Sequence, residues 1–502
     1  MVKKTVGSSV NKKQLSQADV QGLSALMQAG KLDHAEVKSK KLLRRFPDAP
    51  VLYDILSNVR LAKSDFAGAI KSLAKLLEIK PDYENGIYNL GLAQMNIGAA
   101  HEAIVSFRRL LSINDKNADA WNNLGAALFE IDSFEEAIEA YKSALEVNPK
   151  FVPALRNLGA ALRDMRRLDE AVTYLAKIPS LMPRYAPGYL SLGVTHRLLG
   201  DLDKAGECFQ TVLKLDPENK EANYEWGNIL ARNGRSAEAI AAYEKVDNAE
   251  TRAKILEVMH QTEFQDTQLV SRLNELNKTD PYNLRGAAFS AFASQQYDID
   301  ETNPFAPDPL NYVSIRTVDQ HMEQRSRLLE ELATASDEIM AVWENRTTRK
   351  GFQTYGNLFE AGDIFQTLEA ILRKEIDAYR RDLSDMPGMI IQQFPEAYDL
   401  NGWHVKLLKA GYQKPHIHAR GWISGVLYLK IPMEMKGDEG AIAFSLHGYD
   451  YRKIKGEVPN KVHIPRAGDL VLFPSSLFHH TIPFQSDEER QCIAFDLLPN
   501  RN

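Results

Sequence analysis

The sequence has few cysteines and no long apolar run. Only Cys208 and Cys492 occur among its 502 residues, which excludes a disulfide framework and a zinc module built from several thiolates. Because free cysteines are typical of a reducing compartment, we predict a cytoplasmic protein. No segment approaches the ~18–20 apolar residues of a membrane-spanning helix, so no membrane partner is predicted. Residues 1–15 are basic and polar without an apolar core, and are predicted to form a flexible arm rather than a secretory signal.

An excess of charge of one sign is also missing. The 61 Lys plus Arg and 67 Asp plus Glu residues give a formal net charge of −6. Nucleic-acid-binding proteins usually concentrate positive charge on one surface, so no nucleic-acid partner is predicted. The hydrophobic fraction of 44% and charged fraction of 25% are ordinary for folded domains and exclude global disorder.

Small residues recur with a period of 34 residues through the first half of the chain. Between them, apolar residues recur at helical spacing, which predicts two helices per unit, with proline ending the second helix. A single helix pair cannot bury its apolar face, so neighbouring units are expected to stack. The periodic positions are glycine at 91, 125, 159, 193 and 227, alanine at 35, 69, 103, 137, 171, 205 and 239, and proline at 47, 81, 149, 183 and 217.

These units resemble tetratricopeptide repeats. The period, the Asn-Leu-Gly run of 123–125, Ala137, Tyr141 and Pro149 all match that pattern. About seven repeats are predicted over 16–250, and the first two have Leu23 and Ser57 in place of glycine. The resemblance implies an α-solenoid whose concave groove binds a protein or peptide.

Asparagine occupies the same position in three consecutive repeats, as Asn89, Asn123 and Asn157. Each amide offers an acceptor and two donors, which suits a peptide-binding groove that holds an extended backbone without reading its sequence. The alternative is that these side chains form hydrogen bonds within the repeat array. The sequence leaves both interpretations open.

The periodicity stops near Asp247, and a helical cap or linker is predicted for 251–310. Pro304, Pro307 and Pro309 mark the junction with the next domain, which is predicted for 311–502 with its barrel core at about 389–500. There, short alternating or apolar runs between Gly and Pro predict strands of an antiparallel double sheet, or jelly roll. The predicted strands are 405–408, 422–429, 441–446, 470–473 and 492–498.

Histidines are concentrated near these predicted strands. His416 and His418 are two residues apart in extended backbone and therefore project from the same face. In a jelly roll, the later His479 can lie beside them, which predicts a metal site, and Arg490 opens the final strand as a partner for an anion. His480 is expected to point to the opposite face.

The segment from about Gly351 to Pro499 resembles the 2-oxoglutarate and iron(II)-dependent oxygenases of the prolyl-hydroxylase-like type. That resemblance implies a double-stranded β-helix, with Fe(II) bound by His416, His418 and His479, and O₂ and 2-oxoglutarate as co-substrates. It also implies that Arg490 binds the far carboxylate of 2-oxoglutarate and that Tyr428 donates a hydrogen bond to the same carboxylate. The matching segments are Gly351-Phe-Gln-Thr, 357–359, Pro415-His-Ile-His418, 424–429, 468–475, Arg490 and 494–495.

One residue departs from the family pattern. The usual ligand set is two histidines and a carboxylate, but His418 stands at the position of the acid. Glu439 or Asp469 is a candidate to complete the ligand shell. The predicted architecture is therefore multidomain α + β, and the predicted function is an oxygenase, a hydroxylase, whose repeats recruit a protein or peptide. The alternatives are a repeat scaffold with an inactive or metal-stabilised jelly roll, and an oxygenase that acts on a small molecule.

Overall fold

The chain divides into two compact units, Met1–Glu225 and Trp226–Asn502. The predicted domain limits near residues 250 and 310 are finer than this division and stay predictions. The predicted N-terminal arm lies outside the described residues except for Leu15. The computed structural model describes residues 15–262, 266–297, 299, 303–318, 325–339, 341–343, 347–354, 356–449 and 451–500.

Helix pairs with the predicted period form a tetratricopeptide-repeat solenoid. The repeat glycines allow the two helices of a pair to approach closely: a Cβ atom on Gly91 would lie 2.6 Å from the Phe107 ring, and one on Gly125 would lie 2.7 Å from the Tyr141 ring. The repeat alanine from the second helix is fully buried, as Ala137 illustrates. Any larger residue at these positions would push the helices apart.

Most helices of the solenoid have 12 to 14 residues, and α10 and α11 together fill one second-helix position. Their bounds are α1 (Gln17–Gln28), α2 (Leu32–Leu43), α3 (Pro50–Ala62), α4 (Phe66–Ile79), α5 (Glu84–Asn96), α6 (Ala100–Ile113), α7 (Ala118–Glu130), α8 (Phe134–Val147), α9 (Val152–Asp164), α10 (Leu168–Leu175), α11 (Lys177–Leu181), α12 (Ala186–Leu199), α13 (Leu202–Leu215), α14 (Lys220–Arg232) and α15 (Ser236–Val246).

Further helices precede and flank the jelly roll. None of the helices in the described part of the chain combines the length and apolar character needed to cross a membrane. The bounds are α16 (Ala249–Gln261), α17 (Asp266–Thr279), α18 (Leu284–Tyr297), α19 (Arg325–Asp337), α20 (Asp363–Asp382) and α21 (Met389–Gln392), with 3₁₀ turns at Pro309–Tyr312 and Leu358–Glu360.

The C-terminal strands form two antiparallel sheets, in the strand orders β1-β8-β5-β10-β4-β3-β2 and β7-β6-β9. This is the predicted double-stranded β-helix, and all five predicted strands are present. The remaining strands, β1, β2, β3, β7 and β9, were not predicted from the sequence. The bounds are β1 (Ser314–Thr317), β2 (Ala341–Trp343), β3 (Thr348–Thr354), β4 (Tyr398–Gln413), β5 (Ile423–Lys430), β6 (Ile442–Ser445), β7 (Asn460–His463), β8 (Asp469–Pro474), β9 (Phe478–Thr481) and β10 (Arg490–Pro499).

The central strand β10 has two differently used faces. Ile493, Phe495 and Leu497 belong to a buried core that includes Leu368 and Leu372 of α20. Successive residues of a strand alternate between faces, so Arg490 and Asp496 lie together on the opposite face. That face carries the residues of the candidate site.

Candidate metal centre

Three histidine side chains converge between the two sheets. His416, His418 and His479 each offer one ring nitrogen, and these atoms all lie within 4.8 Å of one another. The ring centroids of His416 and His418 are 5.1 Å apart, and His479 lies 4.3 Å and 5.0 Å from them. The structure therefore brings together the three residues that the sequence analysis selected. His480, the next residue along β9, is outside this group.

Backbone pairing fixes the relative positions of these rings. His416 and His479 form an antiparallel bridge, with N–H to carbonyl distances of 3.1 Å in both directions. The His418 N–H donates to the Ser475 carbonyl at 2.9 Å. Backbone hydrogen bonds therefore hold the segment after β4 against β9 and the end of β8, independently of the side chains.

Each ring uses its Nδ1 atom in a hydrogen bond. His416 Nδ1 donates to the Lys414 carbonyl at 2.7 Å, and His479 Nδ1 donates to the Leu477 carbonyl at 3.2 Å. His418 Nδ1 lies 2.6 Å from a carboxylate oxygen of Asp496. Because carbonyl and carboxylate oxygens only accept, Nδ1 carries the proton in all three rings. The Nε2 lone pair of each ring is left for a metal.

Two of the imidazoles, those of His416 and His479, are held in the neutral form that binds metals. Burial, with a smaller contribution from the neighbouring His418, lowers the pKa of His416 to about 3. Burial also lowers the pKa of His479 well below its ordinary range, and His416 adds to the effect. A proton therefore does not compete for the Nε2 atoms of His416 and His479 at neutral pH.

Asp496, an acid not predicted from the sequence, contacts one of the three histidines. Asp496 accepts from Ser424 Oγ at 2.6 Å as well as from His418, and Ser424 Oγ lies 2.8 Å from Ser475 Oγ. An isolated acid in the otherwise apolar run 492–498 was the available signal. Its partner, however, is 78 residues away.

Neither acid proposed from the sequence joins the histidines. Asp469 is bound to His463 Nε2 at 3.0 Å and to the Arg466 N–H at 2.8 Å. Glu439 accepts from the Lys436 N–H at 3.2 Å. In the part of the chain that the structure describes, the group consists of histidines alone.

Arg490 is almost completely buried, with 1% of its surface exposed. Its Nε donates to the Gly440 carbonyl at 3.0 Å, one Nη lies 3.7 Å from Cys492 Sγ, and its guanidinium lies 4.9 Å from the centre of the Tyr428 ring. None of these contacts among the described residues is with a carboxylate. Arg490 therefore does not form an ion pair with an acidic side chain in the part of the chain that the structure describes.

Tyr428 lies beside this guanidinium. It is fully buried, and its hydroxyl has no acceptor for its proton among the described residues. Burial raises the pKa of Tyr428, while Arg490 opposes the rise. A buried guanidinium without a carboxylate partner and a buried hydroxyl without an acceptor are suited to an anion. They fit a carboxylate of 2-oxoglutarate, and the three imidazoles fit a divalent transition metal such as Fe(II).

The three repeat asparagines use their amides inside the array. Asn89 Nδ2 donates to Asn58 at 3.0 Å, Asn123 Nδ2 to the Tyr88 hydroxyl at 3.0 Å, and Asn157 Nδ2 to Asn122 Oδ1 at 3.0 Å. These hydrogen bonds take one N–H of each amide. They are the hydrogen bonds within the repeat array that the alternative interpretation expected. The peptide-binding role of the three residues stays a prediction.

Family comparison finds matches to segments in both halves of the chain. Residues 401–496 match the family described as "Putative 2OG-Fe(II) oxygenase". Residues 85–117, 118–151 and 190–253 each match a tetratricopeptide-repeat family. No curated protein sequence matches the chain.

Solved structures resemble part of the chain. MamA protein is 30% identical over 35% of this chain and 95% of its own, with a TM-score of 0.32. YrrB, described as a TPR protein with an unusual peptide-binding site, is 22% identical over 37% of this chain and 95% of its own, with a TM-score of 0.32. A tetratricopeptide repeat protein from Parabacteroides merdae is 17% identical over 51% of this chain and 97% of its own, with a TM-score of 0.39.

Proposed function

We propose that this chain, a tetratricopeptide-repeat protein with a domain similar to the 2OG-Fe(II) oxygenases, is a 2-oxoglutarate- and Fe(II)-dependent hydroxylase. The observation that carries the proposal is the pairing of two features on the inner faces of one jelly roll. One is the group of three imidazoles. The other is the buried Arg490 guanidinium, which contacts no carboxylate among the described residues, beside Tyr428 and its unsatisfied hydroxyl.

In this proposal the protein residues bind and orient the reactants. His416, His418 and His479 hold Fe(II) through Nε2, each ring being fixed by the hydrogen bond at its Nδ1. Arg490 and Tyr428 hold the far carboxylate of 2-oxoglutarate, for which a guanidinium offers a rigid pair of donors. When bound, Fe(II), 2-oxoglutarate and O₂ supply the oxidising chemistry, with succinate and CO₂ as by-products.

The repeats recruit the substrate in this proposal. Tetratricopeptide repeats occupy the part of the chain that precedes the jelly roll, and such stacked helix pairs form extended binding surfaces. We therefore propose a protein or peptide as the hydroxylated molecule. The cytoplasmic location predicted from cysteine usage is kept as part of the proposal.

A second function is favoured by one observation, the lack of a carboxylate among the three grouped residues in the described chain. Without it the metal keeps more positive charge than in the usual triad, which favours a scaffold whose jelly roll is inactive or only stabilised by metal. Protein purified without oxygen separates the two. The hydroxylase binds close to one Fe(II) and then one 2-oxoglutarate, whereas the scaffold binds no 2-oxoglutarate.

A further inference from the structure

The side chains of His418 and Asp496 form a short, buried hydrogen bond. Their atoms Nδ1 and Oδ1 are 2.6 Å apart, and only 10% and 13% of the two side chains are exposed. The contact joins the segment before β5 to the central strand β10, across 78 residues of sequence. It is therefore a product of the tertiary fold and not of local chain geometry.

The carboxylate of Asp496 is itself held in place. Ser424 lies opposite Asp496 in the pairing of β5 with β10, and its hydroxyl donates to the same Oδ1 atom at 2.6 Å. The Ser475 hydroxyl lies 2.8 Å from Ser424 Oγ. The backbone of Gly421 packs against this group: a Cβ atom there would lie 2.5 Å from Ser475 Oγ and 3.2 Å from the Asp496 carboxyl carbon, so a larger residue would displace the Ser475 hydroxyl.

His418 stands where the resemblance to the oxygenases requires an acidic ligand. We propose that Asp496 supplies through His418 the negative charge that the usual triad supplies through a direct carboxylate ligand. This inference rests on the proposed function, since it takes the three histidines as ligands.

Two physical effects follow from an anionic acceptor at Nδ1. The hydrogen bond fixes the ring orientation and the tautomer, so that Nε2 faces the metal. The negative charge also polarises the imidazole and makes Nε2 a stronger electron donor to the cation. His416 and His479 have only neutral carbonyl acceptors at Nδ1. Among the three histidines, His418 alone has a charged acceptor at Nδ1.

The first test compares two isosteric substitutions that each remove one carboxylate charge. Asp496→Asn acts on the His418 pair. Asp469→Asn acts on the matched His463–Asp469 pair, which has a 3.0 Å contact, similarly buried side chains and no histidine of the trio. Removing an outer-shell partner typically costs 10–100-fold in metal affinity. We expect a loss of that size for Asp496→Asn and less than about threefold for Asp469→Asn, measured with Co(II) or Mn(II) against a competing chelator.

The second test asks whether the effect requires an imidazole at 418. In a His418→Asp background the metal has its direct carboxylate, so adding Asp496→Asn should change affinity less than about threefold. A similar loss in both backgrounds would overturn the proposal. So would a fall in the melting temperature of the metal-free protein as large as the fall seen with metal, because that would give Asp496 a purely structural role.

The outcomes also separate this inference from the proposed function. If the unsubstituted protein binds metal and Asp496→Asn binds it equally well, the role of Asp496 is wrong and the metal site remains. If the unsubstituted protein binds no metal, the proposed function itself is wrong.

Discussion

The Tyr451 hydroxyl donates a hydrogen bond of 3.0 Å to the carboxylate of Glu257, across 194 residues of sequence. Tyr451 lies in the loop between β6 and β7, and Glu257 lies in α16. Arg285 of α18 binds the same carboxylate with two contacts of 2.7 Å and lies 4.5 Å from the centre of the Tyr449 ring. Helices that follow the repeats thus hold a loop of the jelly roll.

This loop packs on the strand that carries a candidate metal ligand. The rings of Tyr449 and Tyr451 lie 4.8 Å and 5.7 Å from that of Phe478, the neighbour of His479. At Gly448 a Cβ atom would be 2.2 Å from the Phe478 ring. The position of β9 therefore depends on the helices through a continuous set of contacts.

Arg285→Met should destabilise the protein strongly, because it leaves the Glu257 charge buried and without its cation. Breaking a buried ion pair in this way costs about 3–5 kcal/mol. The matched control is Arg272→Met, which removes the exposed pair with Glu244 and should cost about 1 kcal/mol or less. Thermal unfolding of the two variants measures the difference. Equal melting temperatures would show that the Glu257 cluster does not contribute to stability.

Replacing His416, His418 or His479 by alanine should each lower bound iron, since each removes one nitrogen ligand. His480→Ala is the matched control, as its ring is outside the group of three. Metal content after anaerobic loading and desalting is the measurement. Full occupancy in His418→Ala would mean that an acid is the third ligand.

Arg490→Lys should raise the 2-oxoglutarate concentration needed for saturation, and Arg490→Ala should raise it further, while iron binding is retained. Truncating one partner of a buried charge pair costs on the order of 2–5 kcal/mol, which is at least tenfold in affinity. Tyr428→Phe removes one hydrogen bond from a neutral donor to the same carboxylate and should cost about 1.5–3 kcal/mol. Arg420→Ala, an exposed arginine near His418 in sequence, is the control. Equal affinities in all four variants would place the co-substrate elsewhere.

Acidification should destabilise the metal-free protein in part through His404. Burial lowers the pKa of this 3% exposed residue to about 4, whereas in the unfolded chain it is about 6.5. Between these values the unfolded state binds a proton that the folded state does not, so stability falls as pH falls. Each such group contributes up to about 1.4 kcal/mol per pH unit. His404→Gln should reduce the slope of unfolding free energy between pH 6.5 and 4 by that amount, and an unchanged slope would contradict the assignment.

The triple replacement of Asn89, Asn123 and Asn157 by alanine should weaken capture of the protein substrate while the helix content stays the same. Each side chain also loses one hydrogen bond within the array, worth about 0.5–1.5 kcal/mol, so a small drop in melting temperature is expected. Circular dichroism and pull-down of the partner measure the two effects. Unchanged capture would leave these residues with a structural role alone.

Sequence periodicity predicted the parts of this protein that repeat or alternate. The repeat glycines and the two-residue spacing of His416 and His418 belong to regular backbone, so the close helix approach and the shared face of the two histidines could be predicted from the sequence. The contact of Asp496 with His418 could not be predicted, because it depends on how β10 lies beside the segment before β5. The strand β7, Asn460–His463, was missed because it is short and mostly exposed, and therefore lacks an alternating apolar signal.

We propose that the jelly roll, with Fe(II) bound, uses O₂ to convert 2-oxoglutarate to succinate and CO₂. Succinate release by the iron-loaded, full-length protein in air tests this most directly, with His479→Ala as the control that lacks a ligand. We expect succinate release that requires both iron and 2-oxoglutarate, and a large loss of it in the control. If iron-saturated protein with folded repeats releases no more succinate than His479→Ala, the oxygenase proposal is wrong and the scaffold function is favoured.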